Sequence, residues 1–159
     1  MEQPTGSAGH ARGRVIAVIG QGECDDATRA VARTVGRLLA ERGCVLISGG
    51  MGGVMEAASQ GAAEAGGLVV GVLPGPSPTG GNPHLGLAIA TGMGEARNVI
   101  LANTAEAFVA VAGSYGTLSE VAFALKRGKT VVSLGSWEID PAVRPAASPE
   151  EAVELVLAG

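Results

Sequence analysis

Apolar residues gather along the chain in short runs, most of which end at glycine or proline. The runs are "VIAVIG" (residues 15–20), "VLISGG" (45–50), "LVVGVLP" (68–74), "LAIAT" (87–91), "AFVAV" (107–111) and "TVVSL" (130–134). Most are β-branched and do not alternate with polar positions, which predicts strands buried on both faces, as in a parallel sheet. Between most of them the pattern turns helical. Val31, Val35, Leu38 and Leu39 fall at i, i+4, i+7 and i+8, one face of a helix that Asp25 can cap and Gly43 can end. A second helix is expected over about 51–65. It is crowded with Ala and Gly, which lets it lie close on a sheet although each glycine costs roughly 1 kcal/mol against alanine. Helices are also expected over about 95–103 and 117–127. The last one opens "SPEEAVELVL", with Ser148 as cap, Pro149 in the first position and Glu151 completing a capping box.

Strand and helix thus alternate almost throughout. The expected fold is α/β, a three-layer, doubly wound, mainly parallel and Rossmann-like sheet. Residues 14–159 are expected to form one domain after a flexible polar tail over 1–13. The segment "GPSPTGGNPH" (75–84) is the longest loop candidate. It follows a strand, which places it at the carboxyl edge of the sheet, where ligands bind in open α/β folds.

Composition narrows the picture. Hydrophobic residues make up 47% of the 159 positions but aromatics only 3%, so the core is built from Val, Leu, Ile and Ala. The net charge of −4 and the lack of a basic stretch argue against nucleic acid or an anionic membrane as partner. No apolar run reaches membrane-spanning length, and the amino end lacks the apolar segment of a secretory signal. Cys24 and Cys44 have neither metal-type nor redox spacing. These features together suggest a cytoplasmic protein with reduced thiols. His84 has no second histidine or cysteine at metal spacing, so no metal site is expected.

The candidate chemistry lies in three glycine-rich turns that follow strands: "GQGECDD" (20–26), "SGGMGGVME" (48–56) and "AGSYGTLSE" (112–120). A helix amino terminus at each would offer free N–H groups and a favourable dipole to an anion, and glycine lets the backbone approach a phosphate closely. Three such turns on one edge point to a phosphorylated or otherwise anionic ligand. The candidate contacts are Gly20 and Gly22 in the first turn, and Ser48, Gly49, Gly50, Met51, Gly52 and Gly53 in the second. Pro74 at a strand end joins them, with Gly113, Ser114, Tyr115, Gly116 and Thr117 in the third turn. Neither G-x-x-x-x-G-K-[ST] nor G-x-G-x-x-G occurs, which argues against a P-loop nucleoside triphosphatase and a dinucleotide fingerprint. Arg97, with Asn98 beside it, opens the helix after the fourth strand, where its donor fork suits a phosphate. Glu120 is open to two readings, a carboxylate for catalysis or the partner of Thr117 in a capping box.

"SGGMGGVME", "GMGEARNVIL" and "GSYGTLSE" together resemble the signature segments of the "lysine decarboxylase-like" Rossmann proteins, over nearly the whole chain from about residue 15. That resemblance implies one of two branches. The LOG phosphoribohydrolases carry an upstream arginine and the motif P-G-G-x-G-T-x-x-E; Arg97 and Glu120 match these, and Arg97 lies fifteen residues before Ala112. Here Ala112, Gly113 and Ser114 replace the Pro-Gly-Gly of the motif, and Asn98 stands where those enzymes usually have lysine. The short chain and "TGMGEARN" look more like the molybdenum cofactor carrier proteins, small oligomers that bind an anionic pterin. The resemblance therefore implies a carrier of a nucleotide or pterin phosphate, with molybdenum cofactor as cargo, that assembles as a homo-dimer or tetramer. If the protein is instead an enzyme, the resemblance implies hydrolysis of the N-glycosidic bond of a nucleoside 5′-monophosphate, with Arg97 and Glu120 as catalytic residues. Decarboxylation is not indicated: Lys126 and Lys129 sit at a helix end, where lysine suits the dipole.

Overall fold

The computed structural model describes residues 13–159; the rest of the expected tail lies outside the described residues. Seven strands form one sheet: β1 (Val15–Gly20), β2 (Val45–Ser48), β3 (Val69–Leu73), β4 (Leu87–Ala90), β5 (Ala107–Val111), β6 (Thr130–Leu134) and β7 (Arg144–Pro145). Their order is β4-β3-β2-β1-β5-β6-β7, and every pairing is parallel. The helices are α1 (Asp26–Glu41), α2 (Val54–Glu64), α3 (Asn98–Thr104), α4 (Tyr115–Lys126) and α5 (Pro149–Ala158).

Alternate residues of each buried strand feed opposite cores. Ile16 and Val18 of β1 pack with α1, α2 and α5, whereas Ala17 and Ile19 pack with α3 and α4 on the other face. Ile16, Ala17 and Val18 are fully buried and Ile19 is almost so, which is why the strand reads as an unbroken apolar run. The doubly wound, Rossmann-like α/β architecture follows.

The helix ends carry local signals. Asp25 accepts from the Thr28 N–H at 2.8 Å, and Gly43 follows α1 with φ of 76°. Ser148 accepts from the Glu151 N–H at 3.1 Å. The Glu151 carboxylate accepts from Ala147, one residue before the cap, rather than from Ser148 itself.

Three expectations are corrected. The stretch from residue 95 is not one helix: Gly94–Arg97 is a 3-10 turn, and α3 begins at Asn98. The two-residue β7 has no apolar run to announce it. The 75–84 loop stays at the carboxyl edge as far as Asn82 and then leaves it. Because β4 runs parallel to β3, residues 74–86 must carry the chain back across the sheet, and they do so without an α-helix. Asn82 holds this crossing down, donating from its backbone to the Gly50 carbonyl and from its side chain to the Met51 carbonyl. No described helix is long and apolar enough to cross a membrane.

Candidate functional site

The sheet reverses its winding between β1 and β5. The chain leaves β1 toward β2 on one side and leaves β5 toward β6 on the other, so the loops diverge and open a crevice at the carboxyl ends. Register puts Gly20, the last residue of β1, directly beside Val111, the last of β5. A cleft of about 300 Å³ lies there, lined by Gly20 and Gly22, Met55, Glu95, Arg97 and Asn98, Ser114 to Thr117, Ser119 and Glu120.

The floor comes from the third turn. After β5 the backbone bends through Ala112, whose φ of 49° is the one positive value at a non-glycine among the described residues. Gly113 follows at φ 134° and Ser114 takes the cap position of α4. The helix therefore starts two residues earlier than the sequence pattern suggests. Thr117 lies within it and accepts the Ser114 N–H at 3.3 Å. This overturns the Thr117–Glu120 capping box: the first turn closes between Ser114 and Thr117, and Glu120 lies one and a half turns along. It also takes the Ser114 N–H out of any anion site and leaves the Tyr115 and Gly116 N–H groups as open donors of the first turn.

Gly116, Thr117 and Glu120 share one face of α4, because i+3 and i+4 neighbours overlie one another and side chains lean toward the helix start. The Glu120 side chain is thereby drawn under the cleft. It is 9% exposed and accepts no hydrogen bond from any described residue. Burial pushes its carboxyl up to about 7, with the Arg97 guanidinium opposing part of the rise.

Arg97 is itself partly buried. Its Nε donates to the Val72 carbonyl at 2.9 Å, Nη2 to the Gly49 carbonyl at 3.4 Å, and Nη1 to Asn98 Oδ1 at 2.6 Å. These bonds fix the guanidinium plane and leave other N–H donors for a ligand. Burial lowers its pKa and Glu120 partly restores it. Asn98 relays the arrangement to α4: its Nδ2 donates to Ser119 Oγ, which donates to the Gly116 carbonyl. Arg97, Asn98, Ser119 and the first turn of α4 thus form one hydrogen-bonded chain around Glu120.

Other sequence candidates lie behind or beside the cleft, Gly49 holding Arg97 through its carbonyl. Ser48, Gly49, Gly50, Met51, Gly52, Gly53, Pro74 and Gly113 do not line the cleft. The second turn faces inward. Ser48 is fully buried and accepts the Gly50 N–H, and the Val54 N–H at the start of α2 is taken by the Gln21 carbonyl at 3.1 Å. The first turn thus closes the first donor of that helix end. Pro74 gives its carbonyl to Gly94. Met55, Glu95 and Ser119 line the cleft without any signal in the sequence to single them out.

Cys24 and Cys44 are free thiols, each pushed up by burial, so neither is held as a thiolate. The Lys129 ammonium binds the Ala102 and Asn103 carbonyls at the end of α3, where it satisfies helix-end acceptors. Among the described residues no three His, Cys, Asp or Glu side chains are grouped to hold a metal ion.

Comparison with known proteins agrees with this architecture. The molybdenum cofactor binding protein of the phototrophic bacterium Rippkaea orientalis superposes with a TM-score of 0.88 at 38% identity, covering 93% of this chain and 98% of that one. The molybdenum cofactor carrier protein of Chlamydomonas reinhardtii superposes with a TM-score of 0.84 at 37% identity, covering 93% of this chain and all of the other. A protein of Archaeoglobus fulgidus is 49% identical over 142 residues, 89% of this chain and 93% of its own length. The model of the SLOG cluster4 family matches residues 13–157, and the chain belongs to that family.

Proposed function

We propose that the protein binds and carries a small phosphorylated anion in the switch-point cleft, with molybdenum cofactor, a pterin phosphate, as its cargo. The observation that carries this reading is the convergence on one cleft of the open N–H groups of α4, the anchored Arg97 guanidinium and the unpartnered Glu120. The phosphate would accept from Tyr115 and Gly116 and face Arg97. Glu120, pushed up to about 7, would hold its proton near an anion and donate rather than repel. The names of the Rippkaea and Chlamydomonas proteins support the choice of cargo.

One observation favours a second reading. A largely buried carboxylate whose oxygens open into the cleft beside a phosphate site is also what N-glycosidic hydrolysis needs, because an ionised Glu120 would stabilise positive charge developing on the ribose. The third turn weighs against it. Proline fixes φ near −65°, so the first residue of the hydrolase motif could not adopt the +49° backbone of Ala112. Incubation with adenosine monophosphate separates the readings. The carrier releases no adenine; adenine release that Glu120→Gln abolishes would establish the hydrolase. Mass spectrometry of small molecules released from the purified protein should in turn find a pterin phosphate.

We also propose a homo-oligomer. The β4 edge exposes Leu87 and Ile89, with Leu68 and Met93 also exposed, and a second copy would cover such an edge.

A further inference from the structure

The chain has four aromatic residues: two Phe, one Tyr and one Trp. Phe108 is fully buried in the core and Phe123 lies under the Arg127 guanidinium. The single tyrosine and the single tryptophan stack on one another at the start of α4, and of the two Tyr115 lines the cleft. Tyr115 lines it yet is 82% exposed, and its ring stacks on Trp137 with centroids 6.2 Å apart and planes 25° from parallel. Trp137 is tied in place, its Nε1 donating to the Ser114 carbonyl at 2.9 Å. No folding reason puts a large apolar ring in solvent at this point. The first turn of a helix does not need it, and burial would stabilise it. One ring face is braced by Trp137, which limits the freedom a ligand would otherwise have to remove on binding.

The same residue carries both features. The Tyr115 N–H is an open donor of the first turn of α4, and the same residue carries the exposed ring. In a phosphorylated bicycle a sugar or pyran likewise joins the phosphate to the planar ring. A cleft of about 300 Å³ is at the small end for a whole ligand, so a phosphorylated bicycle would project over the rim. Resting on the reading of the cleft as an anion site, we propose that Tyr115, backed by Trp137, is a stacking platform for the planar fused ring of the ligand. The ligand class is a phosphate ester bearing a purine or pterin bicycle. Base–aromatic stacking tolerates either ring, because each presents a π face.

The test uses the full chain, with calorimetry for affinity and Trp137 emission for position. The probes are inorganic phosphate, ribose 5-phosphate, guanosine monophosphate and neopterin monophosphate. Ring-bearing esters should bind at least about tenfold tighter than ribose 5-phosphate, as loss of a stacked base costs about that factor or more, and should quench Trp137. Tyr115→Ala should bring that ratio close to one, whereas Tyr115→Phe should retain it. An advantage confined to guanosine monophosphate assigns a purine; one confined to neopterin monophosphate assigns a pterin. Equal affinity with and without a ring, or a ratio that survives Tyr115→Ala, overturns the platform and leaves the anion site standing. Failure of all four probes to bind overturns the anion site, and the platform with it.

Discussion

Glu120 has a pH-dependent cost. Its carboxyl titrates at 4.5 when unperturbed and is pushed up to about 7 in the fold. The native state therefore holds the proton more tightly than the unfolded chain. The resulting stabilisation is complete below 4.5, declines as the pH rises from there to about 7, and is lost above it. The size is about 3 kcal/mol at most. Glu120→Gln keeps the shape and is neutral at every pH. It should therefore be more stable than the native protein by up to about that amount at about pH 8, and equal to it at about pH 4. Denaturant midpoints at the two pH values check this. A uniform loss of about 1 kcal/mol at both would instead mark a capping partner. The sequence exposed Glu120 as a candidate but misread its surroundings. "TLSE" has the letters of a capping box, yet the helix begins before it, with Gly116 inside the first turn rather than ahead of it. Burial, which no four-residue pattern records, decides the role. Arg97 was legible from its place after β4; its fixing by the Val72 and Gly49 carbonyls was not, because those contacts join distant parts of the chain.

At the scale of elements, the glycines of α1 and α2 serve a contact between helices more than one with the sheet. A Cβ at Gly36 would run into the Ala58 carbonyl, and one at Gly61 into the Arg33 carbonyl. The two helices thus cross backbone to backbone. Helix propensity alone favours Gly36→Ala by about 1 kcal/mol. The obstacle is main chain, which cannot swing aside, so we expect the opposite sign: a net loss of roughly 2 kcal/mol in urea unfolding, as for other overpacked cores. A gain would show that the crossing is looser than its geometry. The sequence showed that α2 was rich in small residues but not which neighbour required them. Strands were the most legible elements: β1, β5 and β6 match their apolar runs end to end. β7 was not legible because two exposed residues, Arg144 and Pro145, carry no burial pattern.

For the whole molecule, alternation of strand and helix disclosed the doubly wound sheet, and hence an edge at which ligands bind. It did not disclose the switch point, which depends on strand order, nor the crossing of residues 74–86 without an α-helix. The two sheet edges are treated differently. β7 is two residues long and ends in proline, a blunt edge, whereas β4 exposes Leu87 and Ile89. Ile89→Lys should therefore convert an oligomer to a smaller species in sedimentation at micromolar concentration without unfolding it. A native protein that is already monomeric under those conditions would remove the β4 edge as an interface.

That the switch-point cleft holds a phosphate is tested most directly by a crystal structure of the protein grown with guanosine monophosphate. The expected result is phosphate density within hydrogen-bond distance of the Tyr115 and Gly116 N–H groups and facing Arg97, with Glu120 below it. Density at the buried turn 48–53 instead, or a cleft empty at saturating ligand, would contradict it.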